Sequence, residues 1–306
     1  MPRHLVIVGG SYVGLEFAQM FRRFGADVTV VEKGDRLIAR EDPEVSGAVR
    51  EILEGEGVVV RTGADCIRFA PEGDDIAVGV SCVDGEPEVI GSHVLLAVGR
   101  RLNTDDLGLD AAGIVVDPRG AIVVDDELRT SAQNVWALGE CNGRGAFTHT
   151  AFNDFEIAAA NLLDGAARRV TDRVPAYALY IDPPLGRAGL TETEARAAGK
   201  RVRVGLRPMT RVSRAVERGE TAGFLKVVVD ADTDVVLGAA ILGVEGDEAI
   251  HSILDAMSMG ATASTLKSIM HIHPTVSELI PTVFGELDEP RTVLPGLAKA
   301  KLVSPG

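Results

Sequence analysis

The chain lacks several features that would point directly to a protein class. Its three cysteines, Cys66, Cys82 and Cys141, lie far apart and form no CxxC or CxxxxC pair. This spacing argues against a disulfide framework or a zinc site, and it predicts a reduced, cytoplasmic protein without a bound metal. Lys and Arg form no dense cluster, and 31 basic against 45 acidic residues leave a formal charge of -14. We therefore expect no nucleic-acid partner.

Long apolar runs are also absent. The longest, such as residues 235–244, fall far short of the ~20 residues that a membrane span needs. No signal peptide precedes the first predicted strand, so we expect no membrane partner. The 306 residues, 46% of them hydrophobic and 4% aromatic, are enough for two or more hydrophobic cores. The composition thus predicts a multidomain protein.

The first third of the chain has the pattern of a dinucleotide-binding unit. An apolar run over 4–8 precedes a glycine-rich turn, a helical pattern follows, and a β-branched run over 26–31 ends at Glu32. In such units the pyrophosphate binds at the helix N-terminus and the ribose binds the acid. Gly9 would permit the turn and Gly14 the close packing, whereas Ser11 occupies the place of the middle glycine. The predicted cofactor-binding residues here are Gly9, Gly10, Ser11, Tyr12, Val13, Gly14 and Glu32.

The acid at the end of the second strand bears on which dinucleotide binds. Glu32 would accept hydrogen bonds from ribose hydroxyls and repel a 2'-phosphate, which favours NAD(H) over NADP(H). Lys33 and Arg36 follow closely and would weaken that preference. The alternative interpretation is an ordinary βαβ unit with a glycine turn. Farther along, the patterns predict a helix over 42–56, a strand over 57–62, and an antiparallel excursion over 76–83 and 89–98.

A histidine and a glutamate flank a proline in the segment HIHPTVSE, residues 271–278. Because proline fits the first turn of a helix, the spacing predicts a helix over 275–284 with His273 at its mouth. A carboxylate such as Glu278 fixes the tautomer of an imidazole and favours its charged form. The pair could then transfer a proton near neutral pH, as thiol chemistry requires. The alternative is a structural histidine and a surface glutamate.

Four motifs, in order, resemble those of the pyridine nucleotide-disulfide oxidoreductases, the flavoprotein family of dihydrolipoamide dehydrogenase, glutathione reductase and mercuric reductase. They are the glycine turn with Tyr12 and Glu16, the AVGRR segment at 97–101, the run over 130–140, and HPTxxE. The likeness covers roughly residues 3–287 and is greatest to mercuric reductase-like and dihydrolipoamide dehydrogenase-like members. It implies hydride transfer from NADH to FAD and then to a thiol, disulfide or metal-ion acceptor.

The resemblance also implies an α/β architecture with a fixed domain order. Residues 1–104 would form a Rossmann-like NAD(P)-binding domain, and 105–173 a return segment resembling the C-terminal part of an FAD domain. Residues 174–287 would form an α+β dimerisation domain, and 288–306 a tail. We expect the family's N-terminal FAD domain, with its redox CxxxxC, to be missing from this chain. The alternative function is therefore a truncated, catalytically inactive NAD-binding homodimer.

Further site residues follow from the resemblance alone. Tyr12 would gate the nicotinamide pocket, and Glu16 would pair with a lysine beside the redox cysteines. Gly99 belongs to the second motif and is assigned to the cofactor site. Gly139 would let the backbone approach FAD, and Glu140 replaces the family's aspartate that binds the ribityl chain.

The C-terminal domain is expected to form a homodimer and to complete the partner subunit's active site. In the family, its histidine acts as acid and base on the redox thiol. That role falls on His273 here, with Glu278 orienting the ring.

Overall fold

The computed structural model describes residues 1–81 and 86–287, which form two compact units. One unit combines Met1–Val98 with the chain from Pro175 onward, and the other is Gly99–Val174. The predicted tail over 288–306 and Cys82 lie outside the described residues. Within the described part, none of the helices combines the length and apolar character needed to cross a membrane.

The N-terminal part of the first unit is a parallel sheet with strands in the order β3-β2-β1-β7. The β-branched residues of β1 and β2 are buried, which explains why these strands have continuous apolar runs in the sequence. The predicted strand, turn, helix and second strand are confirmed. The elements are β1 (His4–Val8), α1 (Tyr12–Arg23), β2 (Asp27–Val31), α2 (Pro43–Gly55) and β3 (Val59–Arg61).

An antiparallel sheet, in the order β4-β5-β6, is inserted before the chain returns to the parallel sheet. It consists of β4 (Asp65–Glu72), β5 (Asp75–Ser81) and β6 (Glu88–Gly91), and β7 (His93–Leu96) then pairs with β1. The predicted antiparallel pairing is confirmed for β5 and β6, and the end of the 89–98 span returns to the parallel sheet as β7. The sequence analysis included no strand over β4, because Arg68, Pro71 and Glu72 break the apolar alternation expected of a strand.

The C-terminal part of the first unit is an antiparallel sheet in the order β10-β11-β12-β9-β8, with helices packed against it. All seven residues of β11 are buried, so this strand forms the centre of the core. The α+β prediction for this region is confirmed. The strands are β8 (Ala176–Leu179), β9 (Leu185–Gly189), β10 (Val202–Pro208), β11 (Phe224–Asp230) and β12 (Val236–Leu242).

The residue patterns predict helices over 192–198 and 245–258, and the structure has α4 (Glu192–Ala197) and α6 (Gly246–Ser258) there. The helix predicted over 275–284 starts later and is shorter. The His273–Pro274 peptide bond is cis and lies in a bend, so Pro274 is not in a first helical turn. A 3-10 turn over Ser277–Leu279 precedes the helix, and Pro281 occupies its first turn instead. The remaining helices here are α5 (Ser213–Arg218), α7 (Ala263–Lys267) and α8 (Ile280–Gly285).

The second unit is built around helix α3 (Thr148–Leu163) and a small core that includes Leu128 and Ile157. The run over 128–140, which resembles a family strand, is mostly irregular and pairs only through an isolated bridge between Arg129 and Trp136. It ends at a 3-10 turn over Glu140–Asn142. Since α3 begins at Thr148, His149 lies in its first turn.

Candidate functional site

The glycine-rich turn between β1 and α1 brings backbone segments too close together for side chains at two of its positions. Gly9 has φ +116°, and a Cβ there would come 2.3 Å from the carbonyl oxygen of Ala97. A Cβ on Gly14 would come 2.0 Å from the Gly9 oxygen, so only glycine permits this approach. Ser11 is the N-cap residue of α1, and its side chain makes no capping hydrogen bond. The first-turn amides of α1 are therefore oriented to receive an anion.

Glu32 lies just beyond β2, beside this turn. Its Oε2 accepts a hydrogen bond from the Gly10 amide at 2.6 Å, and its Oε1 accepts one from the Gly34 amide at 2.6 Å. The carboxylate is thus fixed next to the turn at the place where a ribose is expected. Arg36, which could have favoured a 2'-phosphate, donates to the Ala39 carbonyl at 2.9 Å.

Tyr12 is the first residue of α1 and contacts an arginine that the sequence did not single out. The Arg40 guanidinium carbon lies 5.8 Å from the centre of the Tyr12 ring and 5.5 Å from that of Tyr177 on β8. The Tyr177 hydroxyl donates to Glu41, whose carboxylate also pairs with the buried Arg187 on β9. These contacts link the glycine turn to the C-terminal sheet.

Glu16 has a partner other than the lysine that the resemblance implies. Its Oε1 accepts a hydrogen bond from the Tyr180 amide at 2.9 Å. The carboxylate therefore connects α1 to the chain that follows β8. This contact joins residues 164 positions apart, so local sequence patterns did not reveal it.

A second buried charge cluster lies at the start of α2. The Lys226 ammonium, on β11, contacts Asp42 at 2.9 Å and Glu192 at 2.9 Å, and it also pairs with Glu44. Asp42 accepts the amides of Glu192 and Thr193 at 3.0 Å each. Burial alone would raise the pKa of the Asp42 carboxyl, but Lys226 and Thr193 lower it to about 2. The sequence analysis did not identify this cluster, although a lysine inside the apolar strand FLKVVVD is a signal that could have found it.

In the second unit, a buried aspartate holds the turn that precedes the 3-10 turn over Glu140–Asn142. Asp154 of α3 is fully buried and accepts hydrogen bonds from the Gly139 amide at 2.9 Å, Asn142 at 2.8 Å and Arg173 at 2.6 Å. Gly139 has φ +79° and ψ -159°, a conformation that favours glycine. The sequence analysis missed Asp154, because one polar residue in an amphipathic helix resembles a surface residue.

Glu140 is held beside this turn by an ion pair to Arg100 at 2.8 Å. Gly99, which precedes that arginine, has φ +108°, and no atom lies within 4 Å of where its Cβ would be. The Cys141 thiol is free and donates to the Leu138 carbonyl at 3.2 Å. Its burial raises the pKa of this thiol, which disfavours the reactive thiolate.

The structure brings His273 and Glu278 together as the sequence predicts. His273 Nδ1 lies 2.6 Å from Glu278 Oε2. The histidine side chain is 72% exposed and the glutamate 6%. His271 instead bonds through Nδ1 to the Ser277 carbonyl at 2.6 Å. The pair therefore has a fixed carboxylate and an imidazole open to a reactant.

Among the residues that the structure describes, no group of three or more His, Cys, Asp or Glu side chains could hold a metal ion.

Comparison with known proteins gives consistent matches along the chain. A family model described as pyridine nucleotide-disulphide oxidoreductase matches residues 1–154, and the dimerisation-domain model of the same family matches 175–284. Dihydrolipoyl dehydrogenase of Thermus scotoductus is 38% identical over 280 residues, which are 91% of this chain and 60% of that protein. Mercuric reductase of Streptomyces lividans is 33% identical over 92% of this chain and 59% of its own length.

A third relative has a solved structure. The probable pyridine nucleotide-disulfide oxidoreductase RclA of Escherichia coli is 36% identical over 93% of this chain and 64% of its own length. Its structure, described as an HOCl-induced flavoprotein disulfide reductase, superposes with a TM-score of 0.84 and covers 93% of this chain and 65% of that one. The chain therefore spans about three fifths of the length of these relatives. On the basis of both family models and these identities, the chain belongs to the pyridine nucleotide-disulphide oxidoreductase family.

Proposed function

We propose that this chain is the NAD-binding and dimerisation part of an FAD- and NAD(P)H-dependent oxidoreductase of the disulfide reductase type. Such an enzyme passes a hydride from NADH to FAD and then electrons to a thiol, disulfide or metal-ion acceptor. The observation that carries the proposal is the glycine turn of Gly9 and Gly14 with Glu32 fixed beside it. The names of the relatives, among them a mercuric reductase and a flavoprotein disulfide reductase, support the same reaction class.

The chain's own residues would bind NADH in two places. The first-turn amides of α1, at Tyr12, Val13 and Gly14, would hold the pyrophosphate, because the helix N-terminus carries a partial positive charge. Glu32 would accept hydrogen bonds from the adenine ribose, and its negative charge would disfavour a 2'-phosphate. NADH is therefore the preferred nucleotide in this proposal.

The Gly139 turn would contact FAD. A Cβ at Gly139 would lie 3.2 Å from the Ala151 Cβ, so the absence of a side chain lets this turn pack closely on α3. Glu140, held by Arg100, would supply a carboxylate beside it. The flavin supplies the electron-accepting chemistry when it is bound.

His273 would hold and move the proton at the acceptor. Since Nδ1 is oriented towards Glu278, Nε2 is the atom left to exchange a proton with a thiol. The negative Glu278 carboxylate stabilises the imidazolium that forms. In the proposed homodimer this histidine would serve the partner subunit's active site.

Calorimetric titration with NADH and NADPH tests the nucleotide assignment. We expect the parent chain to bind NADH more tightly than NADPH. In Glu32→Arg the affinity for NADH should fall about tenfold, because charge-assisted hydrogen bonds to the ribose are lost, and the variant should prefer NADPH to NADH. Glu32→Gln removes the charge but keeps one oxygen that can accept a hydrogen bond from a turn amide. This variant therefore shows whether weaker binding comes from the lost charge or from a misfolded turn. Glu51→Arg, an exposed glutamate on α2, makes the same charge change away from the site.

Two results would contradict the assignment: a parent chain that does not bind NADH, or a Glu32→Arg variant that binds it unchanged. Titration of the same material with FAD addresses the other cofactor. NADH binding without any flavin binding would favour the alternative, an inactive NAD-binding homodimer.

A further inference from the structure

Arg40 has surroundings that the proposed reaction does not yet explain. It is an exposed residue in the loop between β2 and α2. Its guanidinium carbon lies within 6 Å of two ring centres, 5.8 Å from Tyr12 and 5.5 Å from Tyr177. A planar cation within about 6 Å of a ring centre is attracted by the ring quadrupole, and an arginine suits this role better than a lysine.

The two rings belong to different parts of the first unit. Tyr12 opens α1 directly after the glycine turn, whereas Tyr177 lies on β8 of the C-terminal sheet. Tyr177 is itself held, because its hydroxyl donates to Glu41. Glu41 is buried and receives both a hydrogen bond from Arg187 Nε at 3.1 Å and an ion pair from the same guanidinium. Tyr177 is therefore a fixed surface for Arg40.

The loop that carries Arg40 is also tied to the glycine turn through its backbone. The Ile38 amide donates to the Gly10 carbonyl at 2.8 Å, and the Glu41 amide donates to the Ile38 carbonyl at 2.8 Å. The backbone on either side of Arg40 is therefore held relative to the glycine turn. The side chain places the guanidinium carbon within 6 Å of both ring centres.

We propose that Arg40 is a positioning residue for the nicotinamide half of the bound dinucleotide: its guanidinium contacts both the Tyr12 and Tyr177 rings, holds the Tyr12 ring in place and so couples the nucleotide site to the C-terminal domain. This inference rests on the proposed function, in which the dinucleotide binds at the glycine turn, and on the family resemblance, which implies that the Tyr12 ring lies at its nicotinamide end. Arg40 acts on the ligand through Tyr12, so its loss leaves the pyrophosphate contacts of α1 in place.

The test compares two ligands on two variants. NADH contains the nicotinamide, whereas adenosine diphosphate ribose has the same adenine, ribose and pyrophosphate without it. We expect Arg40→Met to weaken NADH binding about three- to tenfold, because the cation–π contact that holds the Tyr12 ring is lost. The affinity for adenosine diphosphate ribose should not change, because this ligand has no nicotinamide for the Tyr12 ring to contact. Arg40→Lys, which keeps the charge, should fall between the parent and Arg40→Met.

A direct phosphate contact by Arg40 predicts a different result, namely that both ligands weaken together, and that result would overturn the proposal. So would equal NADH affinity in the parent and Arg40→Met. Failure of the parent chain to bind adenosine diphosphate ribose would instead remove the proposed function, and the inference with it. Arg50→Met, in which a half-exposed arginine paired with Glu54 is lost from α2, is the matched control for NADH affinity.

A ligand-free measurement separates positioning from a change in stability. The chain has three tyrosines, so the Tyr12 ring resonances can be assigned with Tyr12→Phe. In Arg40→Met these resonances should shift and narrow as the ring gains freedom, while the melting temperature changes little. Tyr12 resonances that are identical in the parent and Arg40→Met would show that the guanidinium does not hold the ring.

Discussion

His273 and Glu278 form a pair with unequal surroundings, the imidazole 72% exposed and the carboxylate 6%. Burial alone would raise the pKa of Glu278. Hydrogen bonds from Ser213, His273 and the Thr275 amide outweigh this and leave the pKa of that carboxyl below its ordinary value. An ionised Glu278 then keeps the Nδ1 of His273 as its donor. In the proposed reaction the exposed imidazole would exchange the proton, and the buried carboxylate would set its orientation.

Removing the imidazole should therefore change the titration of the glutamate. In His273→Leu, one of the hydrogen bonds that favour the carboxylate is lost, so we expect the pKa of Glu278 to rise towards or above its ordinary value. Carboxyl carbon NMR of the parent and variant measures it. His251→Leu removes another exposed histidine, on α6, and should leave Glu278 unchanged. A Glu278 pKa that is the same in His273→Leu and the parent would contradict the pairing.

The loop before α2 shows how an element can serve a distant part of the fold. Asp42 is the N-cap residue of α2, yet its side chain makes no capping hydrogen bond to that helix. Its carboxylate instead accepts the amides at the start of α4 and the ammonium of Lys226. The aspartate that marks a helix start in the sequence therefore makes tertiary contacts to α4 and β11 instead of capping α2. The start of α2 is stabilised by the sheet it packs on rather than by its own cap.

Acid should weaken this contact in a defined range. Because the folded-state pKa of Asp42 is lowered from 3.8 to about 2, its stabilising contribution is present above about pH 4 and is lost as the pH falls towards 2. Between pH 6 and pH 2, we expect the free energy of unfolding of Asp42→Asn to fall by about 1 to 2 kcal/mol less than that of the parent. Denaturant unfolding from pH 6 to pH 2 measures it, with the exposed Asp35→Asn as control. A parent and Asp42→Asn with parallel pH profiles would contradict the assignment.

The elements of this fold were more predictable than the contacts between them. β1, α1, β2 and α6 follow from apolar periodicity and turn residues, which are local properties of the chain. Lys226 and Asp42 are 184 residues apart, and Arg187 and Glu41 are 146 apart, so no local pattern joins them. The start of α8 was predicted too early because Pro274 fits a helix start by sequence, whereas residues 273–276 form a bend and a 3-10 turn precedes the helix. The His273–Glu278 pair was predictable because its partners are only five residues apart.

At the scale of the whole molecule, the C-terminal domain exposes apolar side chains that a dimer would cover. Met259, Met270 and Ile272 are 80%, 91% and 78% exposed, the highest values among its large hydrophobic residues in the described chain. They lie in the region that matches the family's dimerisation-domain model. Burial of such side chains favours association through the hydrophobic effect. We therefore expect this segment to lie in the proposed homodimer interface.

A charge placed in that segment should dissociate the dimer. Sedimentation equilibrium of the parent chain should fit a homodimer. Ile272→Glu should weaken association at least about tenfold and shift the population to monomer, because burying an unpaired carboxylate would cost more than 1.4 kcal/mol. Leu163→Glu makes the same change at a residue 81% exposed on α3, outside the dimerisation domain, and should leave the parent's mass unchanged. Ile272 also lies next to His273, so a monomeric Ile272→Glu that keeps NADH affinity would separate nucleotide binding from dimer formation. A parent that sediments as a monomer, or an Ile272→Glu that remains dimeric, would place the interface elsewhere.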